Sequence, residues 1–359
     1  MRFVATTGDL LTAVKAAQLA TPSAPARPEF AGVFLIVGAA SCSVVASRNG
    51  DTTVAASFPI TVSEPGRVLL PPQPLVAYLT TFAPQESVTL SMDSDSVVDI
   101  SVAGRTSYHL RTIDATLPLP SSPESAPTTV DFTRLSDALA AVRSAVDENG
   151  AVQVVSSTAG LALHATDGYR LARCVLPEAG FGEAIIVLPI SALDWVAKLD
   201  VTQVTLEPSQ KTVRFSGPDA VVSTRLLAKP FPAVGPLLEA TPPHGARIRT
   251  EDLVQALTRL RAVALKSPVK VNLDGAVMKV AATSPEYGWG EESLELERPA
   301  DEPFEFHVRP DLLADALHAL NGDVFDFRWS AALSSIHLST SNPLAITILL
   351  QPVRAPAAT

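Results

Sequence analysis

Among residue types that could do chemistry, the stretch Thr166-Asp167-Gly168-Tyr169-Arg170-Leu171-Ala172 stands out. It follows an alternating pattern, Gly160-Leu161-Ala162-Leu163-His164-Ala165, and alternation resumes from Tyr169 to Val175. Asp caps turns and Gly accepts positive φ, so the stretch reads as a β-hairpin tip carrying an aromatic and an Arg. Catalytic constellations are missing. There is no Gly-rich phosphate loop before a helix, no Gly-x-Ser-x-Gly elbow, no His-Glu-x-x-His and no paired Cys-x-x-Cys. His109, His164, His244, His307, His318 and His337 show no metal-ligand spacing and read as surface or hydrogen-bonded core residues. Glu286, Glu291, Glu292, Glu295 and Glu297 could suggest carboxylate chemistry, but a solvated strand edge or ion-pairing face is the plainer reading. The expectation is a binding or scaffold protein with no metal and no cofactor, not an enzyme. A hydrolase with dispersed carboxylates is the competing class.

A chain of 359 residues is too long for one ordinary core, so two or three domains must position that hairpin. Apolar residues make up 47% and charged residues 18%, which is globular. No apolar run approaches about 18 residues, so no membrane span is expected. Met1-Arg2-Phe3-Val4-Ala5 enters a strand pattern directly, so no signal peptide is expected and the location reads as cytoplasmic. Cys42 and Cys174 lie in apolar surroundings and read as buried, reduced thiols without a disulfide. A net charge of −10 argues, taken alone, against nucleic-acid binding. Net charge says nothing about distribution, however, and the placement of 27 Lys and Arg decides the matter.

Each third of the chain opens with a short strand and an amphipathic helix. Arg2-Phe3-Val4 leads to Leu10/Val14, Thr129-Val130-Asp131 to Leu135/Leu139, and Arg247-Ile248-Arg249 to Leu253/Leu257, each pair at i, i+4. A second helix follows Pro71, Pro189 and Pro310, where a residue without an amide donor suits a helix start. In the first copy it is expected over Pro72 to Ala83. A repeat of roughly 120 residues means duplicated domains rather than a solenoid. Pro-rich joints near Pro118-Leu119-Pro120-Ser121-Ser122-Pro123 and Ala240-Thr241-Pro242-Pro243 suggest domains 1–122, 123–244 and 245–359. The fold class is α+β: three tandem copies of two helices against antiparallel sheets.

Three such copies, with Thr166 to Ala172 in the middle one, Phe231-Pro232 near its end and the closing Leu349-Leu350-Gln351-Pro352-Val353-Arg354, resemble the bacterial sliding clamp family, the beta subunit of DNA polymerase III. The resemblance covers the whole chain in order. It implies a head-to-tail dimeric ring around double-stranded DNA, with helices lining the hole. It also implies a pocket that receives short peptides of the replicative polymerase, the clamp loader and repair proteins. By position that pocket would hold Thr166, Gly168, Tyr169, Arg170, Leu171, Pro232, Leu237, Leu333, Ser335, Leu349, Leu350, Gln351, Pro352, Val353 and Arg354. An apolar groove with a few polar edges suits an extended peptide with an apolar anchor. Relatives usually carry His at Tyr169, Met at Gln351, Asn and Tyr at Arg309 and Leu312, and a basic residue at Pro236. The alternative implied is a specialised paralogue with other partners, or with tolerance of a clamp-directed antibiotic.

The same resemblance places Lys15, Arg27, Arg134, Arg143, Lys198, Arg259, Arg261, Lys266 and Arg309 toward DNA. Sliding needs phosphate contacts that read no bases, so weak, non-specific, salt-dependent binding is expected. For ring closure it puts Arg105, Tyr108 and Leu110, on a strand expected from Gly104 to Arg111, opposite Val263, Leu265, Glu291 and Glu292 of a second copy.

Overall fold

The protein is described by a computed structural model covering all residues except 95, 118–127, 149, 178–179, 181, 199–202, 210, 265–266, 332 and 356–359. The expected joint at 122/123, Leu265 and Lys266 lie outside the described residues.

The first repeat runs β1 (Arg2–Thr6), α1 (Thr7–Gln18), β2 (Val33–Val37), β3 (Ser41–Arg48), β4 (Thr52–Pro59), β5 (Thr61–Glu64), β6 (Gly66–Leu70), α2 (Pro72–Leu79), β7 (Ser87–Ser94), β8 (Val97–Val102) and β9 (Tyr108–Arg111). The second runs β10 (Thr128–Asp131), α3 (Phe132–Arg143), β11 (Ala151–Ser157), β12 (Gly160–Thr166), β13 (Arg170–Leu176), β14 (Ala184–Pro189), α4 (Ile190–Val196), β15 (Gln203–Pro208), β16 (Thr212–Ser216) and β17 (Ala220–Arg225). A short α5 (Gly235–Glu239) follows. The third runs β18 (His244–Arg249), α6 (Thr250–Ala264), β19 (Val269–Asp274), β20 (Val277–Ser284), β21 (Gly288–Glu295), β22 (Phe304–Val308), α7 (Pro310–Leu320), β23 (Val324–Trp329), β24 (Ile336–Thr340) and β25 (Ala345–Leu350). The expected α+β class with antiparallel sheets is observed.

Local chemistry sets the element ends. Thr6 accepts the Asp9 amide at 3.1 Å and caps α1. Pro72 and Pro310 stand in the first turns of α2 and α7. Helix α2 stops at Leu79, short of the expected Ala83, as the Thr80 and Thr81 hydroxyls donate back to the Val76 and Tyr78 carbonyls. Strand β9 begins at Tyr108 rather than Gly104, because Ala103 and Gly104 turn the chain with φ of 52° and 67°.

The chain packs as two compact units: Met1–Phe132 with Ser191–Leu226, and Thr133–Ile190 with Leu227–Thr359. Each contains one eight-stranded sheet. In the first the order is β10-β15-β16-β17-β4-β3-β2-β6; in the second, read in the same sense, it is β18-β23-β24-β25-β13-β12-β11-β14. Matched by place in the repeats, the two orders are the same. Both sheets therefore join strands of successive repeats, through β17·β4 and β25·β13. Two smaller sheets, β5-β1-β7-β8-β9 and β21-β20-β19-β22, complete the units and leave β9 and β21 as edges. Buried Leu10, Val14, Leu257 and Leu313 fix the helices on their sheets, as the i, i+4 spacing requires. Cys42 and Cys174 are buried and unpaired, and desolvation pushes both thiols up to about 12.

Candidate functional site

The hairpin tip is held by its own side chains. Thr166 Oγ1 donates to the Arg170 carbonyl at 2.8 Å and accepts the Gly168 amide at 3.2 Å. Asp167 Oδ1 accepts the Tyr169 and Arg170 amides, each at 2.9 Å. Gly168 has φ of 86°, a value that favours glycine, which is why Asp-Gly was a turn signal. The Arg170 guanidinium reaches Asp167 at 3.1 Å and Asp315 of α7 at 2.9 Å, tying the tip to the helix.

Behind the tip the two strands form an apolar floor. Leu171 opposes Leu349 across β13·β25, and both are buried with Val234, while Phe231 and Leu238 pack against them. The α5 turn is fixed by the Leu237 and Leu238 amides on the Val234 carbonyl, both at 3.1 Å. The C-terminal segment is pinned rather than frayed: Gln351 donates its amide to Tyr169 at 2.9 Å, Pro352 is buried, and Val353 donates to His307 at 2.8 Å. Tyr169, Leu237 and Leu333 are 59%, 49% and 61% exposed. Large apolar side chains left in water beside a built floor make an exposed apolar patch. On the rim, the Arg309 guanidinium lies 5.9 Å from the Tyr169 ring centroid and also pairs with Asp311.

Gln351 sits at the edge of this floor with its amide satisfied. Its Nε2 donates to the Leu333 carbonyl at 3.1 Å and its Oε1 accepts the Ser335 hydroxyl at 3.3 Å. Gln351 is exposed, so its amide keeps access to water alongside these two hydrogen bonds. Of the other expected pocket residues, Leu350 is buried, Pro232 and Arg354 are exposed, and Val353 is half-buried. Val234 and Leu238 were missed. Their signal was present in Phe231-Pro232-Ala233-Val234-Gly235-Pro236-Leu237-Leu238, too apolar for a plain linker.

Some of the residues expected toward DNA line clefts within each unit. Lys15 and Lys198 line a cleft of about 570 Å³ beside α1, together with Asp9 and Asp219. Arg143 lines another between α3 and α7, also about 570 Å³, with Asp137 and Asp315. Arg261 and Arg309 line a third of about 630 Å³ between α6 and α7, with Asp311 and Asp315. Arg134 is half-buried on α3, and Arg27 pairs with Glu29 at 3.6 Å. Arg259 is bidentate to Glu292 at 2.8 Å, and this hydrogen bonding holds the Glu292 carboxyl below its usual range. Every one of the three clefts carries carboxylates, so the positive lining is thin.

At the two sheet edges, Leu110 is buried in its own sheet, Tyr108 stacks on Tyr78 with centroids 4.5 Å apart, and Arg105 pairs with Glu86 at 3.6 Å. On the other edge Glu292 is engaged by Arg259 and Glu291 meets Lys279 at 3.5 Å, while Val263 is half-buried on α6. Sequence reasoning missed Tyr78, Phe82 and Trp289. Tyr78 and Phe82 meet edge to face beside β9, and Trp289 is 77% exposed on β21. Trp289 lies inside the acidic stretch read as a solvated edge.

Among the described residues no group of three or more His, Cys, Asp or Glu could hold a metal, and no helix is long and apolar enough to cross a membrane. No family model matches the chain. A beta sliding clamp of Proteus mirabilis is 23% identical over 197 residues. That match covers 53% of this chain and 53%, about half, of the relative. Among solved structures, the DNA polymerase III subunit beta of Pseudomonas aeruginosa superposes with a TM-score of 0.91 at 17% identity, covering 99% of this chain and 100% of that one. A DNA polymerase sliding clamp of Bacillus subtilis gives 0.90 at 20% identity, with the same coverage. The strand order, the paired junctions and these likenesses agree: the chain has the fold of the bacterial DNA polymerase III beta subunit, the sliding clamp.

Proposed function

We propose that the protein is a sliding clamp, a non-catalytic processivity factor that closes head to tail with a second copy around duplex DNA. In this reading it tethers polymerase, clamp loader and repair proteins by peptides docked on the Leu171/Leu349 floor. The observation that carries the ring is the arithmetic of the repeats. Inside the chain, the last strand of one repeat pairs with the fourth strand of the repeat before it, at β17·β4 and at β25·β13. Among the described residues, the last strand of the first repeat, β9, and the fourth strand of the third, β21, are the halves left without such a partner. A second copy supplies both, and an edge that is covered escapes uncontrolled pairing. The half-buried aromatics Tyr78, Phe82 and Tyr108 beside β9, and Trp289 on β21, offer the apolar burial such a contact needs. Glu291 and Glu292 already have partners in their own chain, so apolar area carries the interface and ion pairs contribute little.

DNA contact is weak and without sequence preference, because the cations of the clefts stand among carboxylates. Light scattering at micromolar protein tests closure: a dimer is expected, and a stable monomer rejects the ring. Loading onto closed circular duplex tests enclosure: retention at high salt is expected, with release on linearisation. A second reading, a specialised paralogue with altered partners or antibiotic tolerance, is favoured by one feature. Gln351 is clipped between Ser335 and Leu333, which gives the floor a fixed polar edge.

A further inference from the structure

On the outer face of the β5-β1-β7-β8-β9 sheet three polar side chains form a relay. Asp99 on β8 stands directly across from His109 on β9, and Ser107 lies just ahead of β9, two residues before His109. Asp99 Oδ1 meets His109 Nδ1, and His109 Nε2 lies 3.2 Å from Ser107 Oγ. An ionised carboxylate only accepts, so Nδ1 carries the proton and the Nε2 lone pair accepts the Ser107 hydroxyl. The alternate residues hold the two strands in place: Val98, Ile100 and Leu110 are buried, and Tyr108 stacks on Tyr78. The His109 and Asp99 side chains are 63% and 45% exposed and Ser107 is exposed, so a reagent in solution reaches all three. No spacing in the sequence announces the trio, because Asp99 meets His109 only through the β8·β9 register.

A hydroxyl bonded to an imidazole, whose other nitrogen is bonded to a carboxylate, is the arrangement that activates a serine, whatever the fold and chain order. We propose that Ser107 is a nucleophile toward activated acyl esters, with His109 as its base and Asp99 as the residue that positions the ring. Ser107 Oγ attacks the carbonyl carbon of the ester while its proton passes to Nε2. The bond to the leaving oxygen then breaks, and Nε2 returns the proton to that oxygen. Water takes the place of the serine in a second round, gives its proton to Nε2, and frees the acid as Ser107 is restored. The oxygen that turns negative in each round faces water, so the large gain of preorganised donors is not drawn on. What remains is the general-base contribution, about 10²- to 10⁴-fold. That suffices for aryl esters with good leaving groups and not for amides. The activity is separate from the docking and ring readings, because a second copy pairing along the β9 edge engages backbone groups and leaves the outer face open.

The test treats full-length protein with a fluorophosphonate–rhodamine probe, which bonds its phosphorus to a serine Oγ as fluoride leaves, and maps the labelled sites by tryptic mass spectrometry. Ser107 is expected to label about 100-fold faster or more than the exposed Ser41 and Ser63, which set the scale within each variant. That ratio is independent of small losses of fold. His109→Ala is expected to remove the excess and added imidazole to restore it. Asp99→Asn is expected to remove it too, because the ring then turns its proton toward Ser107, and Asp99→Glu to recover part of it. With p-nitrophenyl acetate as the acyl probe, the unsubstituted protein is expected to release p-nitrophenolate faster than Ser107→Ala. Labelling of Ser107 at the pace of Ser41 and Ser63 overturns the proposal. An undiminished excess in His109→Ala overturns it as well, since the base is then not His109. Equal release of p-nitrophenolate with and without Ser107 overturns the acyl transfer.

Discussion

At the β4·β17 junction Ser47 Oγ accepts the Gly50 amide at 3.2 Å; at the β13·β25 junction Thr166 Oγ1 accepts the Gly168 amide at the same distance. Ser47 opposes Thr53 as Thr166 opposes Leu171, and the next strand over joins in the same antiparallel sense. The backbone has been built twice, but the floors differ. Where one junction has Leu171 against Leu349, the other has Thr53 against Ser223, with the Thr53 hydroxyl donating to Ser47 at 3.3 Å. Beside that pair, Thr52 and Thr224 exchange a hydroxyl hydrogen bond of 2.8 Å while both are buried. A polar floor that has spent its hydrogen bonds internally gives an apolar anchor nothing to gain, because covering it displaces water without burying hydrocarbon. Covering exposed Tyr169, Leu237 and Leu333, which flank the already buried leucines, is worth roughly 25 cal/mol per Å². Duplicated topology supplies both junctions, and side-chain polarity decides which of them carries an apolar floor.

The sharpest way to break this comparison is to give one junction the polarity of the other. Leu171→Thr with Leu349→Ser is expected to weaken a docking peptide about 100-fold or more and to lower unfolding free energy by about 3 kcal/mol, from lost burial and a residual cavity. Fluorescence anisotropy and urea titration read the two effects. Thr53→Ala is the matched control and should leave peptide affinity unmoved. A double variant that still binds would mean the floor is not the docking surface.

Acid pH should separate the units next. His164 titrates near 4 in the folded protein against an ordinary value of 6.5, so the unfolded chain binds more protons between those values. The stability it confers is complete above about 6.5 and falls as pH drops toward 4, by on the order of 2 kcal/mol. Urea midpoints measured from pH 7 to 4.5 should therefore decline, and His164→Gln should flatten the decline. Burial also lowers His337, which opposes Leu349, and its contribution has the same sign.

A smaller effect is expected in the first unit. Thr224→Val strands the Thr52 hydroxyl and should destabilise by about 1–2 kcal/mol, whereas Thr52→Val with Thr224→Val removes both partners and should recover most of that loss. Thermal melts of the three variants check the order. The smallest change is expected from Gln351→Met. It frees the Ser335 hydroxyl and the Leu333 carbonyl at an exposed edge, shifts stability by less than about 0.5 kcal/mol, and alters peptide preference by a few fold. An identical ranking of a peptide panel before and after the substitution would dispose of the specialised-paralogue reading.

Much of this was legible in the chain. The turn at Asp167-Gly168 was readable because few residues other than Gly accept its φ, and Pro71 and Pro310 announced helix starts, which fall at Pro72 and Pro310, because helix first turns need no amide. The paired leucines Leu253/Leu257 announced the buried face of α6 for the same local reason. Val234 and Leu238 were only partly legible: their stretch is too apolar for a plain linker, but its Pro and Gly hide which of its residues turn inward until the surface it lies on is known. Nor were the engagements of Arg259 with Glu292 and of Arg309 with Tyr169, which join residues far apart in sequence.

By itself, then, the sequence determined the threefold repeat, the hairpin tip and the helix faces, because periodicity and φ preference act within a few residues. Tertiary structure alone decided that strands of successive repeats share one sheet, that one of two like junctions has a hydrocarbon floor, and that β9 and β21 remain edges. Those outcomes depend on which strands meet across long stretches of chain, and hydrogen-bond pairing between distant segments leaves no mark in local spacing.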